Sequence, residues 1–269
     1  MALQPKRAHG VTPGLRRDYA DRTANHQAAF VLPYLNPGMN LLDVGYGPGT
    51  ITIGLAKTVA PGNVIGIDHD SHNIEEAKML ASDENVTNVK FMSGDALNLP
   101  FEKEMFDAVF ENNMFVHLAE RASQATTEIY RVLKPGGFFA ARDANADAVV
   151  WSHQTELMKQ FDRFFHRWHK SRGSDISLGK KLPAIIRESG FTNTIKSLSA
   201  DTKGEPEATR SHAEIMVALL DGPLGQMILD KTWADEATIT EMKDDIRHWG
   251  EHPDAFFANV HVEVIGWKH

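Results

Sequence analysis

A chain of 269 residues with 42% hydrophobic content can bury a sizeable core, as one large domain or as a domain with a cap. A formal charge of −8 argues against a nonspecific binder of nucleic-acid backbones. The chain has no cysteine, which excludes disulfides and thiolate chemistry and fits a reducing compartment.

The start, Met1-Ala2-Leu3-Gln4-Pro5-Lys6, lacks an apolar signal core, and no apolar run is long enough to span a bilayer, so a cytoplasmic location is expected. Lys6, Arg7, Arg16 and Arg17 are too few for a polybasic arm. Arg22 to Leu35 reads as a helix with Ala28, Ala29, Val31 and Leu32 on its apolar side, closed by Pro37-Gly38. Strands and helices then alternate: 39–44, 50–59, 64–68, 73–82, 89–93, 106–111, 123–133 and 138–142. That alternation predicts an α/β fold, a doubly wound parallel sheet with helices on both faces. Further on, 149–168 reads as a helix with an aromatic stripe of Trp151, Phe161, Phe164, Phe165 and Trp168, a spacing that suits either ordinary core or a pocket wall. Helix 180–189 and strand 192–198 resume the sheet, 206–231 and 235–249 read as helices, and 259–266 as a last strand. The whole is expected to be a single domain, with an N-terminal helical segment (1–36) and a cofactor-binding core (37–144). Segments 145–175 and 203–252 exceed the minimal fold and are expected to form a helical cap over the acceptor site.

The stretch Asn40-Leu41-Leu42-Asp43-Val44-Gly45-Tyr46-Gly47-Pro48-Gly49-Thr50 carries the most information. An apolar strand enters a glycine-dense turn, where Gly45 and Gly47 let the backbone bend and approach a ligand closely. The following helix points unpaired N–H groups at that ligand. A second strand ends at Asp68, whose carboxylate can accept both hydroxyls of a ribose. A dinucleotide site uses G-x-G-x-x-G to cradle a pyrophosphate, whereas here an acid precedes closer-spaced glycines. That acid would repel pyrophosphate but suits an amine and a sulfonium, which favours S-adenosylmethionine over NAD.

At these residues the chain resembles the class I S-adenosylmethionine-dependent methyltransferases, closest to the ubiquinone/menaquinone-type small-molecule group. The resemblance continues through Gly94-Asp95-Ala96-Leu97-Asn98-Leu99-Pro100-Phe101, Phe106-Asp107-Ala108-Val109-Phe110, Glu128-Ile129-Tyr130-Arg131-Val132-Leu133-Lys134-Pro135-Gly136-Gly137, and Gly179 to Phe191. It implies a Rossmann-like sheet of seven mostly parallel strands with the last antiparallel. It also implies methyl transfer from S-adenosylmethionine to a small, hydrophobic or aromatic acceptor. Asp43, Gly45, Tyr46, Gly47 and Gly49 would form the cofactor turn, with Asp68 on the ribose and His69 against the adenine. Asp95 and Ala96 would meet the adenine edge, and Glu111 and Asn112 the methionine end. Tyr19, Arg22 and His26 lie where related enzymes fold a segment over the cofactor. Tyr46 departs from the family, which carries a small residue there; it either packs away from the cofactor or narrows the pocket.

The candidates for a catalytic base are His117, after the fourth strand, and Asp143, at the end of the fifth. Each has a plain alternative: His117 as a capping or packing residue, Asp143 as an ion-pair partner of Arg142 or a helix cap. Methyl transfer does not oblige the protein to supply a base, because alignment and exclusion of water supply rate as well. Thirteen histidines raise the question of a metal, but no ligand spacing such as H-E-x-x-H occurs, and none is expected. The partners expected are a small-molecule acceptor and no nucleic acid, with a homodimer left open. Two rivals stand beside this reading: a cyclase or structural protein binding the same cofactor, and a nicotinamide-dependent oxidoreductase.

Overall fold

The computed structural model describes residues 22–269, so Tyr19 lies outside the described residues. The described chain divides into two compact units. The larger takes in the chain up to 148 together with 173–200 and 259–269, and the smaller takes in 149–172 and 201–258. The two segments expected to form a cap fall mostly in the smaller unit, except 145–148 and 173–175.

The strands are β1 (Leu41–Val44), β2 (Val64–Asp68), β3 (Val89–Ser93), β4 (Phe106–Asn112), β5 (Leu133–Ala144), β6 (Val150–Trp151), β7 (Thr192–Lys203) and β8 (Phe257–Trp267). The helices are α1 (Ala24–Gln27), α2 (Thr50–Val59), α3 (Asn73–Asp83), α4 (Phe115–Leu118), α5 (Ala122–Val132), α6 (Glu156–Ser171), α7 (Leu182–Glu188), α8 (Pro206–Asp221), α9 (Pro223–Asp230) and α10 (Glu236–Glu251).

The sheet of the larger unit runs β3-β2-β1-β4-β5-β8, with β7 paired to β8. Strands β1 to β5 pair in parallel, and β8 lies antiparallel to β5. Near-continuous apolar runs such as Leu41-Leu42 and Ala108-Val109-Phe110 are buried, as a parallel sheet covered on both faces demands. Neighbouring residues divide between those faces by the two-residue period of a strand. Leu42, Val109 and Phe139 pack with Ile129, Leu182 and Ile186 of α5 and α7. Leu41, Phe110 and Ala140 pack with Ala28, Leu55 and Val59. The Thr192 hydroxyl donates to the Trp267 carbonyl and Ser197 donates to Glu263, a register that makes β7 antiparallel to β8.

The smaller unit has its own core. Phe161, Phe164 and Trp168 of α6 bury themselves among Met216, Ile228, Met242, Ile246 and Trp249 from α8, α9 and α10. These members of the aromatic stripe are thus core of the helical unit. Helix α6 begins at Thr155, whose hydroxyl accepts from the Met158 N–H at 3.2 Å, while 150–151 pair with 257–258 as strand.

Several expected boundaries are corrected. The helix expected over 22–35 is broken into α1, turns and a 3-10 turn at Leu32–Tyr34, because Pro33 has no N–H to give an α-helix. The helix expected over 206–231 splits into α8 and α9, where Gly222 leaves the helical region with φ −115° and ψ −138° and Pro223 restarts the chain at a favourable N-terminal position. Strand β5 begins at Leu133, earlier than expected, and β7 continues to Lys203. Among the described residues no helix is long and apolar enough to cross a membrane.

Candidate functional site

Strand β1 ends at Val44, and the chain turns through Gly45, Tyr46, Gly47, Pro48 and Gly49 into α2. Gly45 and Gly47 have φ of +83° and +53°, a left-handed backbone that suits glycine. A Cβ on Gly45 would sit 2.7 Å from Met114 Cγ, so this position also holds the turn against the segment after β4. A Cβ on Gly47 would meet nothing within 4 Å. Open space over a bare backbone is what a bound ligand needs.

Asp68, at the carboxyl end of β2, closes the turn. Its Oδ2 accepts from the Gly47 N–H at 2.9 Å and its Oδ1 from the Asp70 N–H at 2.8 Å. A carboxylate offers about four lone-pair sites, so acceptor capacity remains for a diol. His69 Nδ1 lies 3.3 Å from Asp68 Oδ1 with its side chain 80% exposed. The bond to Asp68 raises the His69 pKa, and the charges of Asp68, Asp70 and Asp95 add to it.

Asp43 is fully buried on β1, and its Oδ2 accepts from the Thr52 hydroxyl at 2.6 Å, tying the strand to the first turn of α2. Burial pushes its pKa from 3.8 up to about 7, against the Thr52 bond and with help from the charge of Asp68. Asp68, Asp70 and Asp95 all act on His69 and make one negative corner, with the buried Asp43 next to Asp68. Such a corner attracts a cationic ligand and repels a pyrophosphate, as the sequence suggests.

An acid with a raised folded pKa stabilises the fold most when it is protonated in both states. Its contribution then falls as pH rises from about 4 towards 7. Asp43→Asn removes that dependence while keeping an acceptor for Thr52. Urea unfolding at pH 5 and pH 7.5 should therefore show a smaller loss in the variant than in the parent chain, by roughly 1–3 kcal/mol. Equal losses would mean that Asp43 ionises normally.

Tyr46 turns into the core. Its ring centroid lies 5.0 Å from that of Phe91, and it packs with Ile53, Ala77 and Ala81. Its hydroxyl is buried without a hydrogen-bond partner. Burial, then the surrounding aspartates, raise its pKa. The side chain thus occupies the space between α2, α3 and β3.

Asp95 is exposed after β3, and its Oδ1 accepts from the Leu97 N–H at 2.9 Å in a local turn, with Ala96 partly buried beside it. The loop is held from a distance. Arg131 of α5 donates to the carbonyls of Phe101 at 2.7 Å and Leu99 at 3.0 Å, while Glu128 accepts from the Leu99 N–H at 2.9 Å. Glu128 and Arg131 also pair, at 2.7 Å. The family resemblance contains both residues but assigned neither this task. Thr52 gave no signal at all in the sequence beyond its small hydroxyl.

Strand β4 ends in Glu111 and Asn112. Glu111 lies beside Ala141 in the register, which puts it on the same face as Asp143. Both carboxyls are fully buried and bond each other. Burial raises Glu111 well above its ordinary range, and the charge of Asp143 adds to this. Burial also pushes Asp143 up, to about 7, against the bond from Glu111. The outer oxygens cap α4: Glu111 Oε2 accepts from the Met114 N–H and Asp143 Oδ1 from the Val116 N–H, each at 3.1 Å. His117, exposed on that same short helix, is thereby tied to the pair. Arg142 points to the opposite face, where it donates to Asn112 Oδ1 and Ser199 Oγ, each at 2.9 Å, and faces Glu263 at 3.7 Å.

Arg22 lines a surface cleft with Thr50, Gly54, Lys57 and Glu84 along α2, and His26 is exposed on α1. The glycine turn, Asp43, Asp68, His69 and Asp95 are joined by bonds or by mutual charge; Glu111, Asp143 and the His117 helix form a second cluster at the ends of β4 and β5.

A profile described as a methyltransferase domain matches residues 35–190. The chain is 30% identical to the "probable methyltransferase ltbC" of Aspergillus luteorubrus, over 96% of this chain and 99% of that one. It is 31% identical to the demethylmenaquinone methyltransferase of Lactococcus lactis, over 57% of this chain and 66% of that one. Among solved structures, the YcgJ protein of Bacillus subtilis shares the fold with a TM-score of 0.59 at 19% identity, covering 91% of this chain and 99% of that one.

Proposed function

The chain belongs to the class I S-adenosylmethionine-dependent methyltransferases, and from that premise we propose that its acceptor is a small lipophilic or aromatic molecule. When bound, S-adenosylmethionine supplies a methyl group already activated by its sulfonium charge. Asp68 would hold the ribose, the turn from Gly45 to Gly49 the nucleoside edge, and Asp95 with Ala96 the adenine. The negative corner of Asp68, Asp70 and Asp95 favours a cofactor with a cationic sulfonium over a pyrophosphate compound. We assign the role of base to His117, on the short helix whose Met114 and Val116 amides donate to Glu111 and Asp143.

The observation that carries the acceptor proposal is the helical unit inserted between β5 and β8. The chain enters it shortly after the carboxyl end of β5, the end at which open α/β sheets bind ligands. A relative named for demethylmenaquinone fits a lipophilic acceptor. We assign acceptor specificity to this unit. On addition of S-adenosylhomocysteine and an accepted phenol or quinol, amide exchange should slow in 149–172 and 201–258 as well as in 40–112. Accepted compounds are those that release S-adenosylhomocysteine above the acceptor-free rate. Protection confined to 40–112 would remove the helical unit from acceptor binding. Failure of every lipophilic compound, with cofactor still bound, would favour the non-methylating alternative.

A further inference from the structure

We propose that His153, His252 and Asp254 form a binding site for a divalent transition-metal ion of the zinc type, within the smaller unit. One ligand atom from each lies within 4.8 Å of the others. The two imidazoles face each other, with ring centroids 4.1 Å apart and planes inclined by 34°.

Ser152 builds the arrangement. Its N–H donates to the Phe256 carbonyl at 2.9 Å, and its hydroxyl donates to the Asp254 carbonyl at 2.8 Å and accepts from the Phe256 N–H at 2.7 Å. The Ser152 carbonyl accepts from the Trp249 indole at 2.9 Å. These bonds fasten the chain just before His153 to the turn that holds His252 and Asp254. His153 itself has φ +51°, a left-handed conformation unfavourable for a residue with a Cβ. Such strain persists where the surroundings over-determine it.

His252 Nδ1 accepts from the Asp254 N–H at 3.1 Å, a bond that ties the ring to its own turn. Tetrahedral zinc with bonds of about 2.0–2.1 Å needs ligand atoms roughly 3.4 Å apart, so small side-chain rotations complete the site. Two imidazoles and a carboxylate, without thiolate, suit a borderline ion such as zinc over copper(I) or calcium. The fourth position is left to water.

The test uses metal-free, full-length protein titrated with zinc against a chromophoric chelator. One equivalent should bind, and His153→Ala and His252→Ala should each weaken binding at least tenfold. Cobalt should give the intense visible bands of a tetrahedral ion in the parent chain and lose them in both variants. Unchanged affinity for S-adenosylmethionine checks that the variants are folded. Should they unfold, zinc must still protect His153 and His252 of the parent chain from diethyl pyrocarbonate, read by mass spectrometry. No zinc binding, binding of equal strength in both variants, or protection of other histidines instead would each overturn the proposal.

Discussion

Replacing Asp68 by Ala should weaken the binding of S-adenosylmethionine at least tenfold. In the proposed site the carboxylate accepts the ribose diol, and hydrogen bonds to a charged acceptor are worth about 1.5–3 kcal/mol each. The variant also loses the bonds from the Gly47 and Asp70 amides, 2.9 and 2.8 Å in the parent chain, so the turn itself loosens. Asp68→Asn separates these contributions, because its oxygen still accepts from one of those amides while the charge is gone. Calorimetric titration should rank the parent chain above Asn and Asn above Ala, with far-ultraviolet dichroism unchanged. Unaltered affinity in the Ala variant would take Asp68 out of the site.

The second large effect concerns proton removal from the acceptor. With His117 as the base, His117→Asn should cut turnover by about 10²–10⁴-fold, abolish the acidic limb of the pH–rate profile, and leave cofactor affinity nearly intact. Asp143→Asn tests the other candidate. Asp143 is fully buried and bonded to Glu111, so its substitution should act on stability, by about 1–3 kcal/mol, as the pair and its cap on α4 are disturbed. Loss of turnover at full stability would instead make Asp143 the base. Turnover within about tenfold in both variants, a barrier change of only ~1.4 kcal/mol, would assign catalysis to alignment and exclusion of water.

The parts of this protein that were legible in its sequence are those governed by neighbours along the chain. The glycine turn, the strand ending in Asp68 and the alternation of apolar runs with helices each follow from local backbone and solvation chemistry. Tyr46 was legible only as a choice between two directions, and Phe91 with Ala77 supplies the apolar surroundings that decide it. The break at Gly222-Pro223 was written in the sequence but was outweighed by apolar periodicity on either side. Glu111 was read as a strand end near the methionine group; its burial on the same face as Asp143 depends on two strands lying side by side in a particular register. The same limit hid His153. A search for metal ligands by spacing compares near neighbours, and His153 meets His252 only because Ser152 joins distant turns.

The Glu128–Arg131 clamp has a consequence for reading variants. The loop bearing Asp95 is anchored to α5, whose residues lie outside the glycine turn and the strand ends. A genetic screen scored only on activity would therefore group Arg131 with the residues proposed to hold the nucleoside, although its bonds go to the Leu99 and Phe101 carbonyls and to Glu128. The same distance gives room to vary: a chain that rebuilt this helix would shift the Asp95 loop, and with it the proposed adenine contact, without altering any residue of the glycine turn or Asp68.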